Sequence, residues 1–204
     1  MHLHLETPGE TLWAVVIGAV LATLGGFVAT QLEGFVRRRE RERAAALLFG
    51  EVLSALETII TIANQARQHG EPYGPFTLRL VRAARREIET YERNRGSLYD
   101  LREAEIRIRI HVLMVQVTLA LEGVSDSTAE IAAAQDALAD LAADHPKLAA
   151  MQERLEGLTG GREAAFLAMQ EATEETKALV EALRPLAKVD FEALKRFSGN
   201  PYAE

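Results

Sequence analysis

An uncharged segment of 22 residues, Thr11–Leu32, constrains this chain more than any other part of its sequence. At about 1.5 Å per residue, a helix of this length crosses the hydrocarbon core of a bilayer, which is about 30 Å thick. A cleaved signal peptide would begin with basic residues, whereas residues 1–10 contain two glutamates and neither lysine nor arginine. We therefore predict a transmembrane anchor over residues 11–36, preceded by a short extracytoplasmic N-terminus, residues 1–10.

The direction of the anchor follows from a cluster of arginines directly after it. We call these residues the juxtamembrane arginines: Arg37, Arg38, Arg39, Arg41 and Arg43. Basic residues beside a membrane span stay on the cytoplasmic side, where they also attract anionic lipid headgroups. The cluster predicts an inner-membrane protein with its N-terminus outside and its C-terminal domain in the cytoplasm, and membrane lipids as its first partner.

Small residues recur at every fourth position through the anchor. We call them the small-residue stripe: Ala14, Gly18, Ala22, Gly26, Thr30 and Gly34. Residues four apart share one face of a helix, and a face of small side chains lets a second helix approach closely. The stripe predicts that the chain associates with itself through the anchor, as a homo-oligomer.

The sequence after the arginines favours an all-α fold. Apolar residues between Ala45 and Ala63 keep a spacing of three and four, which is typical of a core-facing or coiled-coil seam. Because no Gly-Pro breaker separates this seam from the anchor, we predict one helix from Thr11 to about Gln68. The predicted architecture is a single N-terminal transmembrane helix continuous with a cytoplasmic helical bundle or coiled-coil-like domain.

The segment 106–121 carries two conflicting signals. Isoleucines and valines alternate with other residues, as in Ile106, Ile108 and Ile110, and this pattern indicates a strand. The positions Ile110, Leu113 and Val117 also fit a helix, and a strand of about sixteen residues would be long. We favour the helix. Its uncharged core, Ile110–Leu121, is too short to span a membrane.

Charge and glycine positions divide the cytoplasmic part into two. Residues 37–124 form a predicted membrane-proximal helical domain, and residues 125–204 an acidic distal helical hairpin and tail. Gly123 to Ser127 is the predicted link, and Gly160-Gly161 the predicted turn of the hairpin. Because the hairpin's own seam is rich in alanine and buries little apolar area, we expect it to bind a further membrane or cytoplasmic protein. The docking candidates are Leu148, Met151, Leu155, Leu179 and Leu183.

The sequence contains few features that are typical of an active site. It has no cysteine, no H-E-x-x-H and no phosphate-binding glycine loop. Asp136, Asp140 and Asp144 share a helix face, a pattern that is usually a solvated stripe. The net charge is −7, whereas nucleic-acid-binding proteins are typically basic, so we predict no nucleic-acid partner. We predict neither catalytic residues nor a metal or other cofactor.

These observations give two function hypotheses. The first is a non-enzymatic single-pass inner-membrane protein that acts as a tethered, oligomeric interaction subunit or scaffold of a larger membrane assembly. The second is a self-assembling pore-forming or membrane-effector protein with a cytoplasmic sensor domain. A pore would leak ions when overproduced, whereas a scaffold would not.

Overall fold

A computed structural model describes residues 8–70, 72–141 and 145–191, with side chains from Val16 onward. The described residues form helices and connecting turns and contain no strand, so the predicted all-α class is confirmed. The elements are α1 (Pro8–His69), α2 (Pro75–Asn94), a 3-10 helix (Arg95–Asp100), α3 (Ala104–Ala139) and α4 (Leu148–Ala187).

The chain divides into two units, residues 1–41 and residues 42–204. Of the first unit, the structure describes the beginning of α1, and every described side chain from Val16 to Arg41 is exposed. Two hydroxyls in this stretch are bonded within the helix: Thr23 donates to the carbonyl of Ala19, and Thr30 to that of Gly26, each at 2.8 Å. Both hydroxyls are thereby satisfied within the helix.

The second unit is built around the remaining part of α1. The predicted seam is confirmed as a core face: Ala45, Phe49, Val52, Leu56 and Ala63 are buried, and Ile59 is half-buried. These side chains are covered by the other helices of the unit, which share one hydrophobic core with them. The predicted length of α1 is also confirmed, because the helix ends at His69.

The turn after α1 leads directly into α2. Gly74 is the extended N-cap residue of α2, and Pro75 occupies the first turn, where its missing N–H is no loss. The last turn of α2 buries Tyr91, whose ring packs edge-on against Phe49 of α1 at a centroid distance of 6.1 Å. Both rings are fully buried.

Helix α3 resolves the conflict over 106–121 in favour of a helix. It also passes through Gly123 to Ser127 without a break, so the predicted link at this place is wrong. The reason is packing: a Cβ on Gly123 would lie 3.0 Å from the Cβ of Ala165 in α4. The glycine therefore permits a close approach of α3 and α4 and does not end the helix.

Helix α4 likewise runs through Gly160-Gly161, so the turn predicted there is wrong. A glycine in a helix interior costs about 1 kcal/mol relative to alanine, which packing of the rest of α4 can offset. The hairpin is instead formed by α3 and α4, and its turn lies between Ala139 and Leu148. The predicted C-terminal tail lies outside the described residues.

The end of α4 is attached to α1 by two contacts. The Arg43 Nε donates a hydrogen bond to the carbonyl of Ala187, the last residue of α4, at 3.1 Å. After Lys188, which adopts the left-handed conformation (φ 55°) that ends the helix, the ring of Phe191 occupies the space where a Cβ of Gly50 would lie. Phe191 is fully buried there.

Candidate interaction surfaces

The small-residue stripe lies on an exposed part of α1. Gly18, Gly26 and Gly34 have no described atom within 4 Å of the place a Cβ would take. Ala22 and Thr30 are exposed as well, whereas the side chain of Ala14 lies outside the described residues. The stripe is therefore open to a second helix, and self-association through it remains a prediction.

The juxtamembrane arginines divide into two kinds. Arg37 pairs with Glu33 one turn earlier in α1, and the Arg39 guanidinium lies 4.5 Å from the centre of the Phe35 ring. Arg43, in contrast, binds the C-terminal carbonyl of α4, where a cation also offsets the negative end of the helix dipole. Arg43 thus has a role inside the folded unit that its place in the cluster did not predict.

Two of the predicted docking residues are not available to a partner. Leu179 and Leu183 are fully buried in the core of this chain, because this end of α4 packs on the other helices of the unit. The prediction is corrected for these two leucines. Leu148, Met151 and Leu155, near the other end of α4, are half-buried.

The outer face of α3 carries an apolar surface that the sequence analysis missed. We call it the α3 seam: Ile108, Val112, Val115 and Leu119, which are between 44% and 63% exposed. The opposite face of α3, which includes Ile110, Leu113 and Val117, is buried in the core. Apolar residues on two faces of one helix produce the alternation that resembled a strand, and that alternation was the available signal.

A polar cluster joins the end of α1 to the middle of α4. Glu163 forms an ion pair with Arg67 and accepts a hydrogen bond from the Tyr73 hydroxyl at 2.7 Å. The Arg67 and Tyr73 hydrogen bonds hold the pKa of Glu163 below its usual range, while burial raises the pKa of Tyr73. The Arg162 guanidinium stacks on the Tyr73 ring at 3.8 Å. These contacts fix the helix arrangement.

The half-buried His111 is held on both sides. Its Nδ1 lies 3.0 Å from the Tyr91 hydroxyl, and its Nε2 lies 3.2 Å from an Nη of Arg95. Because arginine can only donate, Nε2 accepts, so Nδ1 carries the proton and donates to Tyr91. On the other side of α3, Arg109 forms a two-bond pair with Glu175 of α4.

By length and composition, α1 and α3 are each apolar enough to cross a membrane. Among the side chains that the structure describes, which begin at Val16, no group of three histidine, aspartate or glutamate residues could hold a metal ion; Asp144 is not among them. Comparison with known proteins finds no matching family model, no similar curated protein and no similar solved structure.

Proposed function

We propose that this chain is a non-enzymatic subunit or scaffold, tethered to the inner membrane by one N-terminal span and recruiting a larger assembly through its helical domain. The single observation that carries the proposal is the unbroken exposure of the apolar residues between Val16 and Val36 of α1. A monomer in water rarely leaves so large an apolar surface uncovered. A bilayer would cover it on all sides.

We propose that α1 spans the membrane and α3 does not, because the two helices differ in their surroundings. In α3, the residues facing the core are buried, and its uncharged run, Ile110–Leu121, has twelve residues. A span needs about 20 residues. Helix α3 therefore suits a domain core, whereas the beginning of α1 suits a lipid environment.

The proposed orientation places residues 1–10 outside and residues 37–204 in the cytoplasm, because the juxtamembrane arginines follow the span. A reporter enzyme that is active only outside the cytoplasm, fused after Glu204, should be inactive, whereas the same reporter fused before Met1 should be active. The reverse pattern would overturn the orientation. Release of the chain by high salt or carbonate would overturn the span itself.

Self-association through the small-residue stripe is part of the proposal. Gly18→Ile and Gly26→Ile put bulk where a second helix would pack and should weaken assembly by roughly 1 kcal/mol or more. Leu21→Ile, which adds no bulk at an exposed anchor position, is the matched control. The measurement is the molecular mass in detergent over a dilution series. Unchanged masses for both glycine variants would refute a stripe contact.

The second candidate function is a pore, and the same stripe favours it, because small residues also pack helices into rings. Vesicles that contain the purified chain distinguish the two. If vesicles with the wild-type chain leak a trapped ion and vesicles with Gly18→Ile do not, the result would support the pore. If the wild-type chain forms oligomers and its vesicles do not leak, the result would support the scaffold.

Partner binding is proposed for the distal part of the α3–α4 hairpin. Beyond Val124, the described part of α3 buries only Ile131 and Ala134, and the half-buried Leu148, Met151 and Leu155 lie at the beginning of α4. Replacing these three side chains with serine should abolish co-purification of a partner from native membranes while leaving the helix content unchanged. Retention of the same co-purifying proteins would contradict this site.

A further inference from the structure

We propose that the α3 seam binds the α3 seam of a second copy of this chain, with the two α3 helices parallel. The seam lies in the second unit, so this contact is separate from the small-residue stripe and does not require the proposed membrane function. It is an interaction surface on a folded domain. Two features of α3 and its neighbours support this contact: the spacing of the seam residues and the charges on the helices beside them.

The four seam residues are spaced by four, three and four positions, which is the repeat that two helices share when they pack along their length. The seam ends in charge on both sides, because the preceding and following positions of the same repeat are Glu105 and Glu122. Each seam side chain is β-branched or leucine. A surface of this pattern is complementary to itself.

The two flanks of the seam belong to different helices. At 3.6 residues per turn, Arg109 lies about 90° from the middle of the seam on one side and His111 about 70° on the other. Arg109 pairs with Glu175 of α4, and His111 contacts Tyr91 at the end of α2. Helix α4 therefore borders the seam on one side and α2 on the other.

These bordering helices carry opposite charge. Helix α2 has five arginines and three glutamates, a net of +2, whereas α4 has four basic and seven acidic residues, a net of −3. In a two-fold pair of parallel α3 helices, α2 of each copy faces α4 of the other. An antiparallel pair would place α2 against α2 and α4 against α4. Charge complementarity thus selects a second copy in the parallel arrangement.

The absence of native cysteine allows a direct test with the full chain in phospholipid vesicles. Val112→Cys should form a disulfide-linked dimer under mild oxidation. The matched control is Ala132→Cys, an exposed position of α3 away from the seam. Because a bound pair has an effective concentration in the millimolar range, Val112→Cys should cross-link at least about tenfold faster than the control. Equal rates would overturn the proposal.

Two further measurements test the arrangement. In a mixture of Val112→Cys and Val115→Cys chains, parallel helices predict that each variant links to itself, and preferential linking between the variants would overturn the parallel arrangement. Adding Val112→Glu to Leu119→Cys should slow cross-linking by about tenfold. Unchanged helix content in the double variant shows that the fold is intact, and an unchanged cross-linking rate would overturn the seam contact.

The other possible occupants give distinct results. If the seam lies on the bilayer, a fluorophore on Val112→Cys is quenched by brominated lipids more than one on Ala132→Cys. If another protein covers it, Val112→Cys cross-links to a foreign chain in native membranes and not to itself after purification. Either result overturns the proposed second copy.

Discussion

The two parts of helix α1 are similar in apolar content and opposite in surroundings. Between Val16 and Val36 every side chain is exposed, whereas between Ala45 and Ala63 one full face is buried in the helical domain. Apolar content alone does not distinguish them. What differs is whether other helices of the same chain pack on the apolar side chains. They pack on those of the second part and leave those of the first part exposed.

A single charge placed in each part should give the largest difference between them. Leu53→Asp puts a carboxylate at a fully buried position. The lost leucine alone costs about 2–5 kcal/mol, and the desolvated polar group adds to that. We expect the domain to be unfolded, as measured by circular dichroism and limited proteolysis.

Leu24→Asp makes the same change at an exposed position of the first part. It should reduce membrane insertion by about 3 kcal/mol, because a carboxylate at the centre of a span is unfavourable, and leave the domain folded. Fractionation of membranes measures the first effect and proteolysis the second. If Leu24→Asp unfolds the domain, or if it stays fully inserted, the two parts do not differ as proposed.

Two glycines, one in each part of α1, should differ in the same way by a smaller amount. Gly50→Ala forces the ring of Phe191 out of its place, and overpacking of this kind costs about 1–3 kcal/mol. Gly26→Ala meets no described atom and should not lower the stability of the domain. The thermal unfolding midpoint of the two variants measures the difference. Equal midpoints would show that Phe191 does not hold α1.

The sequence predicted the parts of the fold that depend on local pattern. Helix α1 has no breaker between Thr11 and Gln68, and its core face keeps the helical period, so both its length and its buried face were predictable. Gly160, which no described atom approaches within 4 Å, was read as a break because glycine has a low helix propensity. Gly123 was read as a break because a glycine has the same local signature in a turn and in a helix that another helix approaches closely. The choice between these depends on Ala165 and other distant residues.

The interaction surfaces show the same limit. The small-residue stripe and the arginines were visible because each is a run along one segment. The Arg67–Glu163 pair joins residues 96 positions apart, so no local sequence pattern predicts it. The α3 seam was visible only as an apparent strand, because a helix with apolar residues on two faces loses its simple period.

Acidification should weaken the domain through Glu163. Because its pKa is lowered in the folded state by Arg67 and Tyr73, the stabilisation is complete above the unfolded pKa and is lost as the pH falls through the folded value. The pair is partly exposed, so the effect should be below about 1 kcal/mol.

Glu163→Gln tests this effect. The variant should unfold at a lower temperature than the wild type at pH 7, and the difference should shrink at pH 3. Glu153→Gln removes the same charge from an exposed position of α4 and should change the midpoint little. A gap between wild type and Glu163→Gln that widens in acid would contradict the assigned role. Membrane association should not follow this pH dependence, since the first part of α1 does not contain the pair.

The smallest expected effect concerns the arginines at the junction of the two parts. Arg43→Ala removes the hydrogen bond to the Ala187 carbonyl and should destabilise the domain by about 0.3–1 kcal/mol. Arg41→Ala, which removes a neighbouring exposed cation, should leave the unfolding midpoint unchanged. If Arg41→Ala is as destabilising as Arg43→Ala, the helix-end contact is not the cause.

The contact between Arg43 and Ala187 also determines when the domain can be completed during synthesis, because its two residues are 144 positions apart. At about 5–20 residues per second, a ribosome needs roughly 7–30 s to cover that interval. For that time the buried face of α1 lacks Phe191, which packs against Gly50 in the folded domain. A nascent chain with apolar surface uncovered for so long is a substrate for chaperones, so its yield in cells should depend on them more than its small size suggests.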